Sequence, residues 1–320
     1  MKKEHKTWLF IGAALVAFGI IIFGSVMAVF KWDFTKLQTV KYETNDYNIT
    51  ENYKNISIAV DTADILFAPS ENGEHSVVFY EKEKEKHSVS VVNGTLVIEK
   101  TDTRKWFDYL EISFTTPKIT VSIPEGEYAS LFIKSSTGDI EIPKDFSFQN
   151  IDISESTGNV LVNANIKQSA KIKTTTGNIS FENASTGSID LSVSTGKITA
   201  TNVVCEGNAN IRVSTGKAYL NNMKCKNLSS DGNTGDIYLT NVIAEEMFSI
   251  ERSTGDIHFE ASDAEEIFLK TDTGDVVGSL LTDKVFIAHT DTGRVKLPKT
   301  TEGGKCEITT DTGDIKLEIK

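Results

Sequence analysis

The chain has 320 residues, 39% of them hydrophobic, and carries 45 acidic against 33 basic residues, a formal net charge of −12. Beyond residues 1–30 the balance is 44 acidic to 30 basic, a net charge of −14. So acidic a surface argues against nucleic acid as a partner, because phosphate binding needs basic stripes.

The first predicted element is a transmembrane helix over residues 8–30, a run of 23 residues without a charge. At 1.5 Å per residue it extends about 34 Å, enough to cross the hydrocarbon core of a bilayer. Lysines at positions 2, 3 and 6 favour a short cytoplasmic N-terminus, residues 1–7, and a single-pass protein of the cell membrane whose C-terminal part is extracytoplasmic. The alternative is a cleaved signal peptide, because Val26-Met27-Ala28 resembles a cleavage site. The length of the apolar run favours the uncleaved anchor.

Two less regular segments follow the helix. Residues 31–55 are polar and aperiodic, which suits a membrane-proximal spacer. Apolar alternation returns from residue 56 and predicts short strands, with a hairpin at Asn93-Gly94. We interpret residues 56–130 as the N-terminal cap and first coils of the repeat domain that follows, because the open edge of a sheet has to be covered. The charged run 81–86 is predicted to be a solvated loop or edge.

Residues 131–320 repeat the dipeptide Thr-Gly every 19 or 20 residues. A constant period means that each repeat folds into the same unit and that the units stack. We call the unit a coil and number coils 1–10 by their glycines, which we expect at structural turns where glycine supplies a positive φ. The ten are Gly138, Gly158, Gly177, Gly196, Gly216, Gly235, Gly255, Gly274, Gly293 and Gly313.

Aligned on the glycines, the coils share four apolar columns, at two and four residues after the glycine and at five and seven before it. Apolar residues two apart on both sides of a turn predict two half-buried strands per coil. Parallel stacking at ~4.8 Å then gives an all-β fold, a parallel β-solenoid (β-helix) of about ten coils with a dry aliphatic interior. A three-sheet hexapeptide helix would need a period near 18, which is absent.

Two polar columns accompany the turns. The Thr before each glycine has the strand parity of the core columns, so we expect its hydroxyl to face inward and bond the backbone at the corner. Six residues after the glycine, four consecutive coils carry Asn183, Asn202, Asn222 and Asn241. Stacked Asn side chains can hydrogen-bond along a solenoid, which predicts an asparagine ladder.

The triplets that begin at Asp272, Asp291 and Asp311 spell Asp-Thr-Gly, as in aspartic proteases. Protease chemistry needs two such loops converging from two lobes, whereas these would stack in one file. The file is a weak candidate for binding a cation, and neighbouring Lys and Arg residues could compensate its charge instead. The Thr-x-Thr pairs around these triplets resemble ice-binding ladders, but a corner position with inward parity argues against that function.

The cysteines offer one further constellation. Cys205 and Cys225 occupy the same column on adjacent coils, and a stacking distance of ~4.8 Å lies within the Cα range of a disulfide. A disulfide between them and a pair of free stacked thiols both remain open. Cys306 lies in a core column and is expected to act as a small hydrophobe.

No catalytic constellation emerges. The five histidines are dispersed without metal-ligand spacing, and no nucleophile elbow or phosphate loop is present. Polysaccharide lyases use long β-helices, but catalytic loops break their period, whereas no loop interrupts the repeat between Gly138 and Gly313. We therefore expect no enzyme, no cofactor and no bound metal apart from the weak cation file.

The sequence also resembles a known family. The runs Ser136–Ile140, Ser156–Val160, Ser253–Ile257 and Asp311–Ile315 look like the repeat of the bacterial "putative adhesin" family, a domain of unknown function. The stretches Gly94–Ile98 and Ile119–Pro124 resemble the entry strands of that family. The resemblance implies a bacterial envelope protein of β-solenoid fold, often with an N-terminal membrane segment. It brings no catalytic residues.

The sequence thus predicts a membrane-anchored, extracytoplasmic β-solenoid that serves as a non-catalytic binding, adhesin-like or structural protein of the envelope. Its partners would be the membrane and either cell-wall glycan or an envelope protein. The alternative is a regulatory partner of an envelope-stress sensing system, and less favoured is a carbohydrate-active enzyme. The expected contact surface lies four residues before the glycines, at Lys134, Ser154, Lys173, Ser192, Arg212, Glu251 and Lys270.

Overall fold

The computed structural model of the chain describes residues 3–102 and 113–320. One helix, α1 (Lys3–Val29), and a short 3-10 helix (Phe34–Leu37) precede a β domain. The strands are β1 (Tyr42–Ile49), β2 (Asn55–Ala59), β3 (Asp64–Pro69), β4 (His75–Lys82), β5 (Glu85–Val92), β6 (Thr95–Asp102), β7 (Lys118–Ile123), β8 (Gly126–Thr137), β9 (Ile140–Ile142), β10 (Phe146–Thr157), β11 (Val160–Val162), β12 (Asn165–Glu182), β13 (Ser185–Cys205), β14 (Asn208–Thr234), β15 (Ile237–Thr254), β16 (Ile257–Glu260), β17 (Glu266–Thr273), β18 (Val276–Leu280), β19 (Lys284–Thr292), β20 (Val295–Lys296), β21 (Gly304–Thr312) and β22 (Ile315–Ile319).

The β domain is a parallel β-solenoid of about ten coils, which confirms the predicted fold class. Equivalent residues of successive coils stand side by side, as Ile133, Ile153 and Ile172 do across β8, β10 and β12. Because the pairing register equals the sequence period, each column of the sequence becomes a file of side chains along the rod.

The four predicted apolar columns form the core. In the column two residues after the glycine, nine of the ten side chains are at most 1% exposed. The exception is Val295 of coil 9, which is 48% exposed. Phe286, Ala288 and Leu297, the other core residues of that coil, are only partly buried as well. Coil 9 therefore lies at an open end of the core.

Each central coil has a third face that the two-strand prediction missed. Val203 pairs with Met223 and Met223 with Val242, seven residues after the respective glycines, and all three are fully buried. Nine residues after the glycine, Cys205, Cys225 and Ala244 also point inward. The long strands β13 and β14 bend around this extra face, so the cross-section has three sides rather than two.

The last two coils are stacked out of sequence order. The strand β21 of coil 10 pairs with β17 of coil 8 on one side and with β19 of coil 9 on the other. The second strand of coil 10 repeats this, because β22 lies between β18 and β20. Coil 9 thus skips one position to reach the end of the rod, and the C-terminal coil fills the vacant place.

A buried ion pair fixes the skip. Lys284 and Asp263 are 2% and 5% exposed, and the Lys284 Nζ lies 2.7 Å from Asp263 Oδ1. The other carboxylate oxygen of Asp263 accepts from the backbone N–H groups of Leu281 and Thr282, at 2.9 and 2.6 Å. These contacts hold the segment that carries the chain past the place of coil 10.

The N-terminal end shows the same interleaving. The strands β2 and β3 form a first coil that lies between the β6/β7 layer and coil 1 (β8/β9). Strand β4 runs antiparallel to β7, and β5 antiparallel to β6. The β5–β6 hairpin turns at Asn93 and Gly94, with φ of 50° and 73°, as predicted. Together β4–β7 form a cap over the first coil.

Two expectations for this region were wrong. The segment 31–55 is not merely a spacer, because β1 pairs antiparallel with β4 over its whole length. The charged run 81–86 joins β4 to β5 through an exposed turn at Glu83 and Lys84, but its first residue, Glu81, is fully buried. Glu81 accepts from the Asn45 amide and from both the backbone N–H and the ring of His87 at 2.7 Å, which satisfies its buried carboxylate.

Candidate binding surface

The glycine turns bring successive coils into direct backbone contact. Gly216 and Gly235 have φ of 133° and 121°, and a Cβ on either would collide with the carbonyl oxygen of the glycine one coil earlier. Glycine is needed at these turns both for the backbone conformation and for the close approach. The repeated glycines therefore serve the architecture and offer no chemistry of their own.

The Thr before each glycine does not face inward, contrary to the prediction. It is exposed in all ten coils. The residue two before the glycine is left out of the strand register, so that Glu155 pairs with Thr174 and the next pair is Thr157 with Thr176. This irregularity shifts the parity, and the residue three before the glycine takes the inward place. The turn therefore displays a file of threonine hydroxyls to solvent.

The inward corner position carries a polar file of its own. The Thr271 and Thr310 hydroxyls donate to the carbonyls of Gly255 and Gly274 at 3.1 Å, each bridging to the adjacent coil. In coil 7 the place belongs to Arg252, 3% exposed, whose guanidinium donates to the Ser230 hydroxyl at 2.8 Å. Burial lowers the pKa of Arg252 to about 10. The adjacent coil has a glycine, Gly232, at this position, which makes room for the guanidinium.

In coil 2 the corner position holds Glu155, which is 4% exposed. One of its carboxylate oxygens accepts from the backbone N–H groups of Ser156 and Thr157, and the other has no partner among the described residues. Burial raises the pKa of this carboxyl above its ordinary value. In four other coils the same position holds threonine, at Thr174, Thr271, Thr290 and Thr310.

A second file runs along the position after the glycine. There an Asp or Asn side chain accepts a hydrogen bond from the backbone N–H of the next coil, for example Asp256 from Asp275 and Asp275 from Asp314, at 2.8 and 2.7 Å. Lys217 and Arg294, which occupy the same position in coils 5 and 9, pair with the carboxylates of neighbouring coils, 2.8 Å from Asp236 and 2.7 Å from Asp314. The Arg294 guanidinium lowers the pKa of Asp314. These hydrogen bonds thus connect the turns of neighbouring coils.

The asparagine ladder is confirmed. The Asn202, Asn222 and Asn241 amides each donate to the Asn one coil earlier, at 2.9, 3.1 and 3.1 Å. All four members have φ between 51° and 55°. Asparagine tolerates this left-handed conformation better than other non-glycine residues. Asparagine therefore suits this position both through its side-chain hydrogen bonds and through its backbone conformation.

Aromatic rings stack on the outer face three residues after the glycine. The Tyr219 and Tyr238 rings lie 5.0 Å apart and the Tyr238 and His258 rings 4.5 Å apart, with interplanar angles of 7° and 5°. Each ring covers the face of its neighbour and turns its edge to solvent. A platform for sugar rings needs exposed faces, so this stack stabilises the coils rather than offering a sugar site.

The predicted contact residues form one file on the outer face of the first sheet. Lys134, Ser154 and Lys173 are register neighbours, and Glu251 pairs with Lys270. Asp231, which the prediction omitted, also belongs to this contact file through its pairing with Glu251. Arg212 lies between two carboxylates, 3.5 Å from Asp190 and 3.3 Å from Asp231. The file alternates charge and hydroxyl from Lys134 to Arg212, continues with charged residues to Lys270, and is accessible to solvent along the rod.

Two grooves lie near the third face. One, of about 560 Å³, is mainly apolar and runs beside the asparagine ladder between Val204, Ile243 and Leu281. The other, of about 670 Å³, is lined by amides and carboxylates, among them Asn208, Asn227 and Glu246. Val204 and Ile243 lie eight residues after their glycines and point outward. They could have been recognised in the sequence only by a prediction that included the third face.

The structure gives little support for a function at the remaining predicted sites, the aspartate file and the cysteines. The exposed residues Asp272, Asp311 and Asp291 follow one another in this order, because coils 9 and 10 exchange places. No group of three or more His, Cys, Asp or Glu among the described residues is arranged to hold a metal ion. Cys205, Cys225 and Cys306 are buried free thiols. Burial raises the pKa of Cys225 to about 12, which disfavours the nucleophilic thiolate.

The fold and these surfaces define a repeat protein of the parallel β-solenoid class. A family model, Toastrack DUF4097, matches residues 53–217 and again residues 206–320. The chain therefore belongs to the Toastrack DUF4097 family, whose domain has no known function. No curated protein matches the chain.

Among solved structures, the chain is similar to a putative lipid binding protein from Parabacteroides distasonis, with 16% identity and a TM-score of 0.48 over 88% of this chain and 98% of that one. It is also similar to a putative adhesin from Bacteroides fragilis, with 14% identity and a TM-score of 0.46 over 87% and 97%. A putative adhesin from Parabacteroides merdae gives 10% identity and a TM-score of 0.45 over 87% and 96%.

Proposed function

We propose that the protein is a non-catalytic binding protein of the cell envelope, anchored in the membrane by α1 and projecting its solenoid outside the cytoplasm. The observation that carries the proposal is the helix itself. Residues Thr7–Val29 are long and apolar enough to cross a membrane, and Met27 is the one buried side chain of that stretch. Trp8 and Trp32, 73% and 61% exposed, flank it at the two levels where indole rings favour the membrane–water interface.

The solenoid supports an extended binding partner. Its outer files repeat the same backbone position every ~4.8 Å, a spacing that suits a polymer lying along the rod. The contact file is the best placed of these surfaces, because it is solvent-exposed and continuous over the coils. Since it mixes Lys and Arg with Ser and carboxylates, the chemistry favours a polar chain, either a wall glycan or a peptide of an envelope protein.

The test uses the full chain in proteoliposomes, incubated with isolated cell wall and, separately, with solubilised membrane proteins. We expect retention on wall that soluble glycan competes away. A triple variant, Lys134→Ser, Lys173→Ser and Arg212→Ser, extends the serines already present at Ser154 and Ser192, and should reduce retention at least tenfold.

The matched control removes three positive charges elsewhere on the rod, with Lys197→Ser, Lys224→Ser and Lys316→Ser. Equal loss in both variants would mean that net charge, and not the contact file, determines retention. Capture of one membrane protein without any wall retention would overturn the wall-binding role and favour the regulatory alternative.

A further inference from the structure

The rod ends in an open strand edge. Among the residues that the structure describes, β19 pairs only with β21, so its other side carries unpaired backbone groups. The partly buried core side chains of coil 9, Phe286, Ala288 and Leu297, adjoin that side. Both the sheet and the hydrophobic core therefore stop abruptly at coil 9.

The central part of β19 lacks the charges and prolines that usually prevent strands from pairing with other chains. Its central run, Val285–Ala288, is uncharged and rich in β-forming residues. Val285 and Ile287 are 41% and 52% exposed on the outer face. The one lysine of the strand, Lys284, is 2% exposed and bound to Asp263, so it cannot repel a neighbouring chain.

We propose that this edge is the interface of a symmetric dimer, in which β19 pairs antiparallel with β19 of a second copy of the chain. A twofold axis would bring the two open core ends together, so that Phe286 and Ala288 of each copy are covered by the other. The contact closes on itself, as isologous contacts do. The proposal is independent of what the contact file binds.

The side chains select the register. Inward residues must oppose inward residues, which leaves registers centred on Phe286, Ile287 or Ala288. A centre at Phe286 sets Val285 opposite Ile287 and places the exposed Asp283, just before the strand, level with His289 of the second copy. A centre at Ile287 would set Asp283 level with Asp291, and a centre at Ala288 would set Val285 level with Asp291. Apolar matching and the separation of Asp283 from Asp291 therefore both favour the register centred on Phe286.

A head-to-tail arrangement is less suitable. The strands at the opposite end of the rod, β1 and β5, carry Glu43, Asp46, Glu85 and Lys86. Charges on an edge strand oppose pairing with an uncharged strand. The second copy therefore presents its own β19, and not its N-terminal cap.

The first experiment measures the mass of the full chain in detergent micelles by sedimentation over a range of concentrations. We expect a monomer–dimer equilibrium that Ile287→Lys weakens at least tenfold. Phe132→Lys is the matched control, because Phe132 lies in the same outward column at the other end of the rod and is 41% exposed. A chain that stays monomeric at high concentration, or a dimer unaffected by Ile287→Lys, would overturn the proposal.

The second experiment tests the register by disulfide trapping. Val285→Cys chains mixed with Ile287→Cys chains should cross-link under mild oxidation, because these positions oppose one another. Each variant alone should not, because the distance between its own cysteines would exceed the roughly 7 Å limit for Cα atoms. The native cysteines are buried and give the background. Cross-linking of Ile287→Cys alone would show another register, and no cross-linking in any mixture would contradict the strand pairing.

Discussion

The two ends of the rod solve the same problem in different ways. At both ends one coil is inserted out of sequence order, so that neither the first nor the last coil of the repeat is outermost. At the N-terminal end, however, four further strands cover the inserted coil, and Phe79 and Val77 are fully buried there. At the C-terminal end coil 9 is left without cover.

The difference extends to the chemistry of the ends. The cap combines antiparallel strands with a buried polar network around Glu81 and His87, and carries charged residues along its outer strands. Coil 9 has one buried ion pair and an edge strand whose central run, Val285–Ala288, is uncharged. A protein that protects one end thoroughly and leaves the other apolar uses the second as a contact surface, which is the basis of the proposed dimer.

The largest expected effect comes from deleting residues 304–320. The deletion removes coil 10, with the buried side chains of Cys306, Ile308, Ile315 and Leu317. Each contributes about 1.5–3 kcal/mol, so we expect a loss of more than about 5 kcal/mol in the free energy of unfolding. Coil 9 also loses its partner strands β21 and β22.

Hydrogen exchange should show that residues 284–297 of the truncated chain are unprotected, while the N-terminal cap keeps its protection. Lys316→Ala, an outward change in the same coil, serves as the control and should leave exchange unchanged. Full protection of residues 284–297 after the deletion would contradict the interleaved order of the last coils.

The next largest loss of stability is expected from the buried ion pair near the C-terminal end of the rod. Asp263→Asn leaves the Lys284 ammonium buried without its carboxylate, which typically costs about 3–5 kcal/mol. The loss should appear in the thermal unfolding of the chain and as faster exchange at residues 281–297. Asp263→Asn combined with Lys284→Met should recover part of it. Asp283→Asn, on an exposed neighbour, is the control; an equal loss there would argue against the buried pair.

A smaller effect is expected at the capped end. Glu81→Ala removes the acceptor for the Asn45 amide and for the backbone and ring of His87. Leaving buried donors unsatisfied costs about 1–3 kcal/mol. Exchange should increase in β1, β4 and β5 and stay unchanged in coils 8–10. Glu83→Ala, in the exposed turn of the same hairpin, should be neutral, and a change spread over the whole rod would mean that the two ends are not independent.

The smallest effect lies between the ends, at Glu155. A threonine there should bond the Gly138 carbonyl as Thr271 bonds Gly255, so Glu155→Thr should stabilise the chain by about 1 kcal/mol at neutral pH. Because burial raises the pKa of Glu155 in the folded state, wild-type stability should fall as pH rises from about 4.3 through that raised pKa. The variant should lack this part of the pH dependence.

Chemical denaturation at several pH values measures both quantities. The outward change Ser154→Thr is the control and should alter neither. A variant that keeps the wild-type slope between pH 4 and pH 7 would show that Glu155 is not the group responsible.

The sequence predicted the core well, because each column of a short-period solenoid keeps one environment from coil to coil. Ile133, Ile153 and Ile172 follow the alternation of a regular strand and are buried as expected. The Thr-Gly corner failed, because one residue per coil drops out of the register there and alternation cannot be counted across it. The third face was within reach, since Val203, Met223 and Val242 already form an apolar column.

The order of the coils was out of reach. Coils 8, 9 and 10 carry the same repeat, so pairing β17 with β19 or with β21 satisfies the same local pattern. Only the burial of Lys284 against Asp263 distinguishes the arrangements, and a lone lysine in a sequence is normally taken as exposed. The burial of Glu81 could not be predicted for the same reason, because a charged residue within a charged run is normally taken as exposed.

The interleaved C-terminal coil has a consequence for biosynthesis. A solenoid stacked in sequence order can add each coil as it leaves the ribosome or the membrane channel, but here coil 9 emerges before the coil that must lie beneath it. Among the described residues, its partner strands are β21 and β22, which emerge later. The tip therefore forms only on molecules that include coil 10, and a chain terminated before that coil cannot display it.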